Sequence, residues 1–385
     1  MILTPKQEAI RDVALRFSRE VLRPGYQARE REGVIDRKLL RQLGSLGLIG
    51  PDLPDRFGGI EAGSVVAGLV CEAIAYGDFN FGCVQMMGSL LGALVARHAI
   101  AEVGVAWTRR LAAGEVIFCI AMTKPKGGAD AANIQMKARR AGDAYILSGE
   151  KTSISFCDQC DAMIVLARTG MPAEGAHGVT AFFVPTDLPG LSWTRYDDLG
   201  SKIVGRGSVF FDNVSMPVTR RLGGEGKGFT QVMQGFDYSR ILLSLMCIAA
   251  AQASIDETWA YTRDRQSMGV AISQHQGVSF PLVEFETMLA GLRQLGYYGL
   301  SLAEAGRPYR VESVDGSENR VRCDSPVHPD RWALCRLHGS ATPAALARCD
   351  GIRVRRRSRA DHEIACCTRT RGTRQPHFFT HQPRS

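Results

Sequence analysis

Ala121-Met122-Thr123-Lys124-Pro125-Lys126-Gly127-Gly128-Ala129-Asp130 is the stretch whose reading decides the fold. It reads as the end of an apolar strand running into a Gly-rich turn. A Gly-rich turn behind a strand is common, and in isolation it marks a loop and nothing more. What stands around it at regular intervals carries the argument.

Downstream comes Leu147-Ser148-Gly149-Glu150-Lys151-Thr152-Ser153-Ile154-Ser155, where the alternation of Thr152, Ile154 and Phe156 marks a half-buried strand. Asp198-Leu199-Gly200-Ser201-Lys202 and Phe210-Phe211-Asp212-Asn213-Val214-Ser215-Met216-Pro217 follow as a turn and a further strand. Leu222-Gly223-Gly224-Glu225-Gly226-Lys227-Gly228-Phe229 is Gly-rich but no phosphate-binding P-loop, because Lys227 is followed by Gly228 where Ser or Thr is needed. It reads as a connector into a long helix. Further on stands Tyr261-Thr262-Arg263-Asp264-Arg265-Gln266-Ser267-Met268-Gly269, then Ile272 and His275-Gln276. The planar fork of Arg265 suits a pyrophosphate, to which it can donate two parallel hydrogen bonds.

At the N-terminus, Thr4-Pro5-Lys6-Gln7 is a capping box with Pro at the first helical position, and Ile10, Val13, Ala14 and Phe17 recur at helical spacing, which predicts one buried face. Leu39 to Ile49 reads as a short helix and Val65 to Leu111 as helical throughout. The order is helices, then short strands, then long helices. This predicts an α+β chain with an N-terminal helical domain over 1–115, a middle β-barrel-like domain over 116–220 and a C-terminal helical domain over 221–312. At 385 residues there is length for two or three packed units. The apolar stretches read as too short and interrupted for a membrane span, and the expected location is the cytoplasm.

Taken together, these segments resemble the flavin-dependent acyl-CoA dehydrogenase family over about 310 residues. The first is similar to that family's Thr-Glu-Pro-x-x-Gly-Ser-Asp, with Lys124 for Glu and Ala129 for Ser. The second is similar to Leu-x-Gly-x-Lys-x-Trp-Ile-Thr, and the Arg265 segment to Tyr-x-x-x-Arg-x-x-Phe-Gly-x-x-Ile-x-x-x-Gln, with Met268 for Phe. Gly47-Leu48-Ile49-Gly50, with Pro54-Asp55-Arg56-Phe57-Gly58-Gly59, is similar to the family's turn near its first helices. The resemblance implies FAD as cofactor, held by Ile120, Met122, Thr123, Gly128, Ala129, Ser153, Ser155, Arg265, Met268 and Gln276. Ser155 takes the place of the hydroxyl that bonds flavin N5, and Ser153 replaces an aromatic that covers the ring. Arg265 takes the place of an Arg that reaches FAD in a neighbouring subunit, so a homodimer or homotetramer is implied. Ala129, Asp237, Ser239 and Arg240 fall at positions bordering the acyl-CoA channel. The implied reaction is oxidation of a thioester at Cα–Cβ, with electrons passed to an electron-transfer flavoprotein. The space left by Ser153 suits a branched or alicyclic acyl group of the cyclohexanecarboxyl type.

The family's usual base stands in a Tyr-Glu-Gly-Thr-like turn on a late helix, and no such turn occurs in this sequence. The alternative base position is Ser239. No catalytic residue is therefore assigned, and impaired turnover, or a non-catalytic flavin- or acyl-CoA-binding remnant, is expected.

Residues 313–385 differ in kind. They hold 14 Arg, no Lys, 5 of the 11 Cys and 5 of the 8 His. With 14 basic and 7 acidic residues they carry nearly all of the net charge of +8, leaving 33 basic against 32 acidic in the body. Helical periodicity fades and no apolar run is long enough to build a core, which predicts disorder; since the resemblance implies two more long helices here, the C-terminal helical domain over 221–312 is expected to be truncated. Arg353, Arg355, Arg356, Arg357 and Arg359 read as a nucleic-acid patch, against which the tail has no Lys and only Trp332, Phe378 and Phe379 as aromatic platforms. Cys335 and His338 have one half of a zinc-site spacing, without a compact second pair. A slipped reading frame near Ser313 explains the mixture best. Elsewhere Cys157 and Cys160 read as free thiols, His98 as packed in an apolar helix and His177 as solvated; no metal site is expected.

Overall fold

The computed structural model describes residues 2–125, 128 and 130–309. The expectations for the tail (nucleic acid, zinc or a frame slip) and for Ala129 lie outside the described residues.

Helix α1 (Pro5–Phe17) starts on the capping box: Thr4 accepts from the Gln7 amide while the Gln7 side chain accepts from the Thr4 amide. Ala14 and Phe17 are buried, but Val13 is 37% exposed, so the stripe is narrower than the spacing predicts. Consecutive helical residues lie about 100° apart, and Val13 falls off the edge of the contact with the body. A π-helical turn over Ser18–Leu22 leads into α2 (Arg23–Glu32), which stops at Gly33 in the left-handed conformation. Helix α3 spans Arg37–Ser45, four residues short of the predicted end, because Gly47 at φ 68° breaks it.

Helices α4 (Gly63–Gly77), α5 (Phe79–His98) and α6 (Ala101–Ala112) complete the first layer. Asp78 both caps α5, accepting from the Asn80 amide at 2.9 Å, and pairs with Arg29 at 2.9 Å in a buried bridge. Burial raises the Asp78 pKa and the Arg29 charge opposes it.

The middle region is an eight-stranded sheet. Its strands are β1 (Phe118–Ala121), β2 (Lys137–Ala141), β3 (Ala144–Ile154), β4 (Ala162–Arg168), β5 (Val179–Pro185), β6 (Leu191–Arg195), β7 (Gly207–Pro217) and β8 (Arg221–Leu222). The order is β6-β7-β3-β2-β4-β5-β8, with β1 parallel to β4. Strands β4 and β5 are apolar nearly throughout and buried on both faces, whereas β3 alternates. Trp107 of α6 stacks edge-on to Phe183 at 5.1 Å and lies 6.3 Å from Phe118, tying helices to sheet.

The chain then enters α7 (Gly228–Asp264), a hairpin of β9 (Gln266–Ser267) and β10 (Val270–Ala271), and α8 (Gln276–Glu304). Gly228 opens α7 tight against β5: a Cβ there would stand 2.2 Å from the Ala181 nitrogen. That close approach gives the connector its glycine. Helices α7 and α8 pack against α4, and α7 also against α5, so the last helices close over the first. Gly68 of α4 permits it, since a Cβ there would meet Leu300 Cδ1 at 2.3 Å. By length and composition, α5 and α7 could cross a membrane, contrary to the expectation that no stretch would. The apolar windows are 89% and 67% buried within the fold, as in core helices.

Candidate functional site

The Gly-rich turn leaves β1 and is stitched to β3. The Thr152 amide donates to Thr123 O at 3.0 Å, and Lys151 Nζ donates to Met122 O at 3.0 Å. Lys124 Nζ donates to the carbonyl of Asp130 across the turn. Ile120 and Met122 are half-buried on the way into it. Pairing of β3 with β7 slips between Lys151 and Ile154, and Ser153 stands at φ 57°, so a bulge lies at the predicted flavin position. Bulges re-aim side chains at sites, and a small polar residue tolerates the left-handed backbone better than an aromatic.

The structure therefore brings Met122, Thr123, Gly128 and the β3 bulge at Ser153 together through the Thr152–Thr123 and Lys151–Met122 hydrogen bonds, while Ser155 lies just beyond the end of β3 with no hydrogen bond to the turn among the described residues. Neither the Thr123 hydroxyl nor the Ser155 hydroxyl has a hydrogen-bond partner among the described residues. Among the described residues a Cβ at Gly128 would meet only Thr123 Cγ2, at 3.8 Å, so they leave space beside the Thr123 side chain. An open hydroxyl beside open space fits a polar ring system such as a flavin.

Behind the bulge lies a cluster that no sequence pattern signals. Tyr196 shares hydrogen bonds with Thr152 and with Ser208 (2.9 Å), and Ser208 reaches Glu150 at 3.2 Å. Burial pushes the Tyr196 phenol up, but the bonds from Ser208 and Thr152 outweigh it and leave the pKa lowered. A single Tyr in a polar segment has no periodicity to betray it.

The predicted channel residues sit on α7. Asp237 and Arg240 form an ion pair at 3.0 Å, and the buried Ser239 hydroxyl donates to Phe236 O at 3.2 Å. Ser239 is thus committed to the helix backbone and offers no base. Between α5, α7 and the 52–57 turn opens a cavity of about 470 Å³, lined by Asp52, Leu53, Phe57, Leu90, Leu94 and Tyr238 among others. The Asp52 carboxylate accepts from Ser89 at 2.6 Å and Tyr238 at 2.9 Å. Burial raises its pKa against those bonds. Sequence reasoning passed over Asp52, since its partners come from distant segments. His98 also lines the cavity, half-buried and within 3.3 Å of Gln231, so it is less enclosed than predicted; burial and then Arg97 lower its pKa.

Arg265, Met268 and Gln276 stand apart from all of this. The β9–β10 hairpin turns at Met268 and Gly269, both at positive φ as a two-residue type I′ turn requires. Arg265 is exposed, Gln276 is exposed, and Met268 is 93% exposed. Cys157 and Cys160 are free and buried, with Cys160 Sγ 3.3 Å from Cys119. Burial pushes the Cys157 thiol up to about 12, which makes it unreactive. Among the described residues no group of His, Cys, Asp and Glu is arranged to hold a metal ion.

Three family models match the chain in succession: the acyl-CoA dehydrogenase N-terminal domain over residues 4–115, the middle domain over 119–214 and the C-terminal domain over 226–314. A probable acyl-CoA dehydrogenase of Bacillus subtilis is 28% identical over 314 residues, 81% of this chain and 83% of the relative. The structure of butyryl-CoA dehydrogenase from Megasphaera elsdenii superposes with a TM-score of 0.84 at 24% identity, covering 91% of this chain and 95% of that one. A glutaryl-CoA dehydrogenase from Mycobacterium smegmatis in complex with FADH2 superposes with a TM-score of 0.82 at 25% identity, covering 91% and 90%.

Proposed function

Since the chain belongs to the acyl-CoA dehydrogenase family of FAD-dependent oxidoreductases, we propose that it binds FAD at the 122–130 turn and the β3 bulge and acts on the Cα–Cβ bond of an acyl-CoA thioester. Electrons would pass to an electron-transfer flavoprotein. The observation that carries the reading is the open Thr123 hydroxyl beside the space over Gly128, with the β3 bulge at Ser153 held to the same turn by the Thr152–Thr123 hydrogen bond. FAD, when bound, supplies the hydride acceptor. Thr123 and Ser155 orient the ring by hydrogen bonds, Asp237 and Arg240 border the entry of the CoA moiety, and the sheet behind the turn excludes water. Arg265, on its exposed hairpin, suits the pyrophosphate of FAD in a second copy of the chain, which makes a homo-oligomer the working form.

Turnover is impaired in this reading. The sequence has no Tyr-Glu-Gly-Thr-like turn, and Ser239 cannot take the α-proton, so the general-base contribution of roughly 10²–10⁴-fold is lost. A branched or alicyclic acyl group fits the small Ser153, and a cytoplasmic location fits the reading. The test is anaerobic addition of saturated acyl-CoA thioesters to FAD-loaded protein. Retained flavin with slow bleaching is the expected result. Rapid bleaching with any thioester would show that a base operates, and failure to retain FAD at all would remove the reading.

A further inference from the structure

Lys124 and Lys151 both hold backbone carbonyls of the turn. Lys151 is fully buried and Lys124 is 5% exposed, yet neither forms an ion pair among the described residues. Each ammonium donates to a backbone carbonyl, Met122 O for Lys151 and Asp130 O for Lys124, although each carries three N–H groups. Two buried ammonium groups without a counter-ion among the described residues are costly to keep charged together, so burial followed by the Lys124 charge pulls the Lys151 ammonium down to about 7. A carboxylate at position 124 would neutralise Lys151; lysine there does the opposite.

We infer that Lys124, buried beside Lys151 with no carboxylate to compensate it, favours negative charge on the flavin held at this turn, so that Lys124 raises the reduction potential of bound FAD. This rests on the reading of the turn as the flavin site. Both carbonyls that the lysines grip belong to the turn itself, Met122 adjoins the open Thr123 hydroxyl, and the pair lies in a region where low dielectric lengthens the reach of a charge. Two-electron reduction leaves negative charge on the isoalloxazine ring, and nearby positive charge stabilises that state over the oxidised one. Lys124 thus lowers folding stability and stabilises the reduced flavin.

The test compares the full chain with Lys124→Met and Lys124→Glu in two measurements. The first is the melting temperature without FAD: Lys124→Glu should melt higher than the unaltered chain, because it pairs Lys151. The second is the potential of bound FAD by equilibration with a reference dye: it should fall in Lys124→Met and fall further in Lys124→Glu. Bound FAD with an unchanged potential, or a lower melting temperature for Lys124→Glu, overturns the inference while leaving the flavin site in place. If no protein in the series binds FAD, the reading of the turn fails, and the inference with it.

Discussion

Two regions carry the residues assigned to FAD, and they are built in opposite ways. The turn after β1 and the bulge of β3 are backed by the fully buried strands β4 and β5, with Lys151 beneath them. The hairpin that carries Arg265 and Met268 is two residues per strand, largely exposed, and rests on the ends of α7 and α8. The difference teaches that one chain can shape the ring end of a cofactor site alone, whereas a hairpin standing in solvent gains purpose only from a surface brought to it.

The comparison breaks most visibly in stability. Phe183 is fully buried and stacks on both Trp107 and Phe118, so Phe183→Ala should cost about 3–5 kcal/mol in urea unfolding. Met268→Ala, at an exposed hairpin tip, should stay within about 0.5 kcal/mol. Equal costs would mean that the hairpin is packed in solution.

Next in size is the hairpin, where Arg265→Ala should weaken FAD binding by roughly 1.5–3 kcal/mol through loss of a charge-assisted phosphate contact. The fluorescence titration that reads this should show the loss only where the chain self-associates. A same-sized loss in a monomer would place Arg265 beside its own turn.

A smaller effect, of pH, is confined to the buried region. With its folded pKa near 7 and an unfolded value of 10.5, Lys151 holds fewer protons folded than unfolded between those limits. Between pH 7 and about 8, below the range where the buried thiols with raised pKa values act in the opposite sense, stability should therefore rise with pH, by an amount on the order of 1 kcal/mol. In Lys151→Met the rise should flatten, as followed by urea midpoints across the window; an unchanged slope would mean that Lys151 is paired.

The folding pattern was legible because it follows from local rules. The Thr4 capping box and the alternation in β3 act within a few residues and stand in the sequence as they stand in the fold, whereas Gly47, which ends α3, lies inside the stretch that reads as helix. The positions proposed for flavin come from resemblance alone, since no spacing rule singles out Thr123 or Ser155. Asp52, Ser89 and Tyr238 were illegible: they come from a turn and two helices and meet only once α5 packs on α7. The membrane-length apolarity of α5 and α7 escaped notice for a related reason, because core burial and lipid burial ask for the same side chains.

The smallest expected effect is on the hairpin turn. Met268 holds φ 55° at a position that favours Asn or Gly, so Met268→Asn should stabilise the chain by up to about 1 kcal/mol in the same urea assay. A destabilised variant would mean that the exposed Met side chain already contacts something, and a homo-oligomer supplies that surface from a second copy.

The central claim is that the turn after β1 and the β3 bulge hold FAD, and the most direct measurement is titration of the full chain with FAD, followed by fluorescence quenching and by the flavin absorbance retained after desalting. Saturable quenching at one FAD per chain, weakened when Thr123 and Ser155 are both changed to Ala, is the predicted result. Absence of saturable binding, or binding indifferent to both hydroxyls, would contradict it.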